Sequence, residues 1–236
     1  MKLALVSTLT MTVLITGCSI PTAPSSVSSL NGLFTEPVGR SSATSVPNGS
    51  HVSLGIVYSQ NTQANRAYLQ DYQANAGTGF GQSLLVQPIH DAYVATSRPD
   101  LAVDWVKASL RRQFGSVTVY PDMQSLKAAR PDVMAVVDTR SQLITSRSSD
   151  IQADVSADFY DKNFNYIGTA QGHDAKVLSP VWADYKRSEE IVADINEQQN
   201  VQVRALQKFD QSLSNLLTSP TSNVSMIENR SNNKMY

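Results

Sequence analysis

Residues 151–173, IQADVSADFYDKNFNYIGTAQGH, decide how this chain folds. Ile151, Ala153, Val155, Ala157 and Phe159 alternate with Gln152, Asp154, Ser156, Asp158 and Tyr160. A period of two places the first set on one side of a strand, against a core, and the second set on the other side, in water. Asp161-Lys162-Asn163-Phe164-Asn165 then supplies turn residues, and Tyr166 to His173 returns as the antiparallel partner of a hairpin.

Working outward, Asp132 to Arg140 (DVMAVVDTR) is apolar enough for a central strand, and Ser141 to Ser146 (SQLITS) follows it. His51 to Ser59 alternates, with Val52, Leu54, Ile56 and Tyr58 on one side, and Ser116 to Tyr120 is a short strand. Val103, Val106, Leu110 and Phe114 recur at spacings of three and four, one face of a helix that starts near Pro99 and stops before Gly115. Asn61 to Asn75 is polar but rich in helix formers, and Met123 to Arg130 is a short helix. From Val181 to Leu217 the apolar residues Trp182, Tyr185, Val192, Ile195, Val203, Leu206, Phe209, Leu213 and Leu217 mark a long helix. The polar patch Asn196 to Asn200 is expected to break or expose it midway. Strands and helices in this order give an α/β (α+β) domain, with helices packed on a mixed, partly antiparallel sheet.

The ends read differently. Lys2 is followed by Leu3 to Ile15, about 13 residues without charge, then Thr16, Gly17 and Cys18. A charged start, a short apolar run and small residues describe a secretory signal peptide. As a helix that run spans roughly 20 Å, too short for a hydrocarbon core of about 30 Å. Ser19 to Ser50 is dominated by Ser, Pro, Thr, Ala and Gly, a composition unable to bury enough apolar surface to offset ordering, and reads as a tether. As a coil of about 30 residues it would reach roughly 30 Å. The organisation expected is 1–17 signal peptide, 18–50 flexible tether, 51–217 single α/β domain and 218–236 disordered tail. The formal net charge of −1 offers no electrostatic footprint for nucleic acid.

Ile15-Thr16-Gly17-Cys18 resembles the lipobox of bacterial lipoproteins. The resemblance implies that the signal peptide is cut before Cys18, the one cysteine in the chain, and that its thiol and new amine carry acyl chains such as palmitate. Two or three chains, at about 0.8 kcal/mol per buried CH₂, anchor durably. Ser19 is not the aspartate that retains such proteins at the inner membrane, so the resemblance implies the outer membrane. The element order, carried by VDWVKASLRRQFGSVTVY (103–120), RPDVMAVVDTR (130–140) and QADVSADFYDKNFNYIGTA (152–170), is similar to the periplasmic domain shared by the TolB N-terminal domain and the curli-secretion channel lipoprotein.

Candidate sites are few. Gly77, Gly79 and Gly81 alternate around Phe80, but a phosphate loop follows a strand and opens a helix, and here a helical stretch precedes them. An assembly or ligand loop is the better reading. His51, His90 and His173 are far apart and fit no metal-ligand spacing, so surface histidines and no metal site are expected. Asp154 and Asp158 share the wet face, roughly 13 Å apart along a strand, beyond the reach of a paired acid and base. Asp138, near a strand end, is the best single polar candidate, and with Cys18 acylated no thiol is left for catalysis. The sequence therefore favours a non-enzymatic outer-membrane lipoprotein without cofactor. Its partners would be the membrane, through the lipid, and envelope proteins or copies of itself. A small-ligand-binding lipoprotein, for a cell-wall fragment, lipid or nucleotide, is the alternative.

Overall fold

The computed structural model describes residues 21–25, 45–75, 86–145, 148–181 and 185–218. Cys18, Gly77, Gly79, Phe80 and Gly81, together with the tail after Thr218, lie outside the described residues. The elements are β1 (Gly49–Tyr58), α1 (Gln60–Ala74), α2 (Gln87–Thr96), α3 (Leu101–Arg111), β2 (Phe114–Val119), α4 (Met123–Ala129), β3 (Val133–Gln142), β4 (Asp150–Asp161), β5 (Tyr166–Val177) and α5 (Ser188–Thr218). The five strands form one sheet in the order β2-β1-β3-β4-β5. β1 pairs in parallel with β2 and β3, while β3, β4 and β5 are antiparallel, so the sheet is mixed and the fold is α/β.

The hairpin read from residues 151–173 is present and longer on both arms, paired from Tyr160 opposite Tyr166 to Asp150 opposite Val177. Its odd-numbered side supplies Val155, Ala157 and Phe159 to the main core, where they meet Leu54, Ile56, Val133, Ala135 and Val137 from the neighbouring strands. α3 and α5 cover that face through Val106, Leu110, Leu206, Phe209 and Leu213. Gly172 lets α5 come close to β5, since a Cβ there would stand 2.0 Å from the Ala205 carbonyl oxygen. Among the described residues, the opposite face is covered at one end, where Leu126 of α4 packs with Val57, Met134, Val136 and Tyr160.

α1 takes the place of a strand. β1 ends at Tyr58, opposite Val137, but β3 runs on to Gln142. The bare edge is satisfied by side chains of α1. Thr62 Oγ1 donates to the Val137 carbonyl (3.0 Å) and accepts from the Thr139 N–H (2.9 Å). The Ser141 N–H donates to Asn65 Oδ1 (2.8 Å) and the Leu143 N–H to Tyr68 Oη (3.2 Å). Edge amides recur every ~6.7 Å, whereas three helical residues rise only ~4.5 Å. The lengthening series Thr, Asn, Tyr makes up the difference. Burial against this edge pushes the Tyr68 hydroxyl up to about 12.

Beyond the sheet's upper end, the apolar side chains of α1, α2 and α5 close a second core around Tyr72, Ile89, Tyr93, Ile144, Ile191 and Ile195. Gln198 ties it together. Its Oε1 accepts from the Ile144 N–H (2.6 Å) and its Nε2 donates to Thr96 Oγ1 (2.9 Å).

Several expectations change. α5 is one unbroken helix that starts at Ser188, not Val181, and the polar patch expected to interrupt it holds the buried Gln198. α2 stands where no helix was expected, with Pro88 in its first turn. Phe114 opens β2 instead of closing α3. The ordered domain begins before residue 51: Val46 is buried in the main core and Pro21 to Ser25 is also described, with Ala23 packed against the second core. Composition alone places those residues in the tether. Contact with the folded domain supplies the apolar cover that composition cannot foresee.

Candidate functional site

Among the described residues, no helix covers the upper part of the sheet's second face. Strand alternation and register set its side chains in rows, Arg140, Asp154 and His173, then Asp138, Ser156 and Gln171; the next row, Val136, Asp158 and Thr169, borders the part that α4 covers. Asp138, Arg140, Asp154, Ser156, Gln171 and His173, with Lys208 reaching from α5, border a shallow depression of about 470 Å³. This is a mixed-charge surface on rigid strands.

Most of its polar groups hold one another. His173 Nδ1 is 2.7 Å from Asp154 Oδ1, across the β4–β5 pair, and Asp154 also accepts from Gln152 Nε2 (2.7 Å). Asp158 accepts from Thr169 Oγ1, which is 2.7 Å from the Tyr166 hydroxyl. Burial raises the Asp158 carboxyl above the usual carboxylate range, the Thr169 hydroxyl opposes that shift, and the nearby Asp138 carboxylate adds to it. Asp138 accepts from the Ser59 hydroxyl, and Ser59 in turn caps α1 by accepting from the Thr62 N–H (3.0 Å). Asp138 thereby positions the helix that completes the β3 edge.

Sequence reasoning placed Asp154 and Asp158 on one wet face, and the structure puts them there, each with its own partner. His51, His90 and His173 are all exposed. His173 and Asp174 point to opposite sides: Asp174 accepts from Arg204 Nε (2.8 Å) and Lys208 Nζ (2.6 Å) of α5. Arg140 and Lys208 were missed, because only the β3–β4 register and the packing of α5 bring them to this face.

A second concavity, of about 480 Å³, lies at the lower end of the sheet between Lys127, Arg130, Lys162, Asn163, Asp132 and Phe164. Lys127 Nζ sits 4.9 Å from the centre of the Phe164 ring. Asp132 is occupied by Ser53, whose N–H (2.9 Å) and hydroxyl (2.6 Å) both donate to it, and these bonds hold its carboxyl below the usual range. Among the described residues no group of three or more His, Cys, Asp or Glu is placed to hold a metal ion. No described helix is long and apolar enough to cross a membrane.

No family model matches the chain, and no curated protein matches it. Among solved structures, a PelC dodecamer from Paraburkholderia phytofirmans is similar at 12% identity and a TM-score of 0.30, covering 71% of this chain and 99% of that one. A likeness of that size carries nothing about function.

Proposed function

We propose that this chain is an outer-membrane lipoprotein, acylated at Cys18, whose periplasmic domain is a non-catalytic component of envelope assembly or interaction. The lipobox resemblance at Ile15 to Cys18 supports the anchor. The observation that carries the interaction reading is the upper face of β3, β4 and β5, over which no described helix lies. It presents acids (Asp138, Asp154) and bases (Arg140, His173, Lys208) side by side on a shallow surface. Mixed charge on a rigid, broad face suits electrostatic complementarity with a protein partner, where it sets register and rejects wrong partners. The narrower rival, a small anionic ligand, is favoured by the convergence of Arg140, His173 and Lys208 on one depression.

Photocrosslinking in intact cells tests this. A crosslinker at Gln171, on the open face, is expected to capture a discrete envelope protein. One at Ser116, on the distant edge strand β2, is expected to capture none. Arg140→Glu should abolish the Gln171 product without changing thermal stability. Equal capture at both positions would defeat the interaction reading. Loss of the Gln171 product on adding an anionic muropeptide would favour the ligand. Palmitate labelling that persists in Cys18→Ala would defeat the lipoprotein reading.

A further inference from the structure

The described segment Pro21 to Ser25 lies just after the proposed acylation site. Ala23 packs against the second core, formed by α1, α2, α5 and the end of β3, and Pro21 and Pro24 are half-buried. Two residues, Ser19 and Ile20, separate Cys18 from Pro21, a span of three Cα–Cα steps. A fully extended chain spans at most ~3.6 Å per residue, so the anchor lies within about 11 Å of that docked segment. The 30-residue composition-based tether therefore does not stand between lipid and domain, because the chain touches the domain again almost at once.

Which end of the domain this is follows from the topology. Gly172 faces Ala205 and Gly168 faces Leu216, so α5 runs antiparallel to β5 and its N-terminus lies at the end of β5. Asp150, the start of β4, pairs with Val177, and the Leu178 N–H donates to the Ser149 carbonyl. The C-terminus of α2 is bonded through Thr96 to Gln198 and Gln202, and Ile89 near its N-terminus shares a cluster with Ile191 near that of α5. The starts of α2, β4 and α5 and the end of β5 therefore meet at one pole, which the second core, the cluster against which Ala23 packs, reaches through Ile89, Ile151, Val181 and Ile191.

The exposed large apolar side chains among the described residues are Val86, Val177 and Tyr185, at 48%, 77% and 79% exposure. Val86 caps the start of α2, Val177 ends β5, and Tyr185 lies just before α5. All three belong to the same pole. A tyrosine with apolar neighbours is the residue type that settles at a membrane–water interface, ring in the acyl boundary and hydroxyl in the headgroups.

From the short reach after Cys18 and this placement, we infer that the domain sits directly on the lipid surface, with Val86, Val177 and Tyr185 in the interface. The inference rests on acylation of Cys18. The charges nearby are mixed, with Lys176 and Arg187 set against Asp91 and Glu189. The contact is accordingly apolar and does not require anionic lipid. The opposite pole, with Lys127, Arg130 and Lys162, points away from the membrane, about 40 Å distant by the length of a 12-residue strand.

The full lipidated protein in phosphatidylcholine vesicles carrying a headgroup quencher tests the inference. Once Cys18 is acylated it is blocked, so a single introduced cysteine (Tyr185→Cys, Val177→Cys or Lys162→Cys) takes a fluorophore selectively. The labels at 185 and 177 are expected to be quenched severalfold more than the label at 162, and Ala23→Asp, which releases the docked segment, should erase the difference. Mass analysis of the N-terminal peptide separates the two ways of failing. Acyl mass present with equal quenching at all three positions would overturn the orientation alone, and acyl mass absent would overturn the lipoprotein reading and the orientation with it. Tyr185→Ser and Val177→Ser, surface changes that leave both cores intact, should leave thermal stability unchanged while weakening the quenching of a label on a cysteine introduced by Val86→Cys.

Discussion

The lower and upper halves of β3 solve the same problem in different ways. Val133 to Val137 is buried on both faces, with a strand on each side and Leu126 beneath, so apolar contact and ladder hydrogen bonds settle its place. From Asp138 onward one neighbour is a helix, one face is open, and the backbone is satisfied by Thr62, Asn65, Tyr68 and Gln198. The lower half draws its stability from area removed from water. Hydrogen bonds define the upper half, which also carries the open charged face and the pole nearest the proposed anchor. Structure held by a few directional bonds is where substitution is felt most locally, whereas a close-packed core spreads the effect.

The largest expected effect falls on the lower half. Phe159 is fully buried and stacks on Phe114 at 6.4 Å between centroids. Phe159→Ala should cost about 3–5 kcal/mol in urea unfolding, as a cavity plus lost transfer energy. A loss well under 2 kcal/mol, roughly a Leu→Ala minimum, would mean that this core is looser than its burial indicates.

In the upper half, Gln198→Leu removes the acceptor of the Ile144 N–H and the donor to Thr96. It should cost about 1–3 kcal/mol, the desolvation of a buried amide left without a partner. Hydrogen exchange sharpens the contrast. The amides of Ile144 and Leu143 should lose protection while those of Val133 to Val137 keep theirs; uniform loss would show that the halves are not separable.

Asp158→Asn, at the border between them, has the smallest effect and the opposite sign. Because the folded carboxyl titrates above its unfolded value, the folded state binds more protons between those two values, and wild-type stability falls as pH rises through that window. The variant lacks the penalty. Its melting temperature should exceed wild type at neutral pH, and the gain should vanish below about pH 3.9, the ordinary aspartate value. A gain that persists in acid would point to packing instead of charge.

How much of this was legible varies by element. The β4–β5 hairpin could be read because strict alternation has one interpretation when one face is buried. α3 was legible for the same reason at a period of 3.6. The Asn61–Asn75 segment was readable as a helix from its residue types, but its task was not. Thr62, Asn65 and Tyr68 look like a solvated polar face until the edge of β3 is set beside them. The polar run at Asn196 to Asn200 looked like a break because nothing in it announces that Gln198 meets the Ile144 amide and Thr96. α2 offered Pro88 at its start but only a modest apolar stripe. Of the candidate site residues, Asp138 and Asp154 were visible in the sequence, while the roles of Ser59, Arg140 and Lys208 were not.

The sequence by itself determined the alternating and helical faces, and through them the α/β class, because hydrophobic periodicity is local and each period demands one backbone geometry. It also carried the residues of the proposed lipobox, Ile15 to Cys18, since a processing signal is read as linear text. Only the tertiary structure decided that a helix completes a strand edge, that α5 runs unbroken, that one sheet face stays open, and that Pro21 to Ser25 returns to the domain. Each of these depends on a polar or weakly apolar group finding a partner far away in the chain. The energy of such a pairing belongs to the pair, so neither residue carries it alone in the sequence.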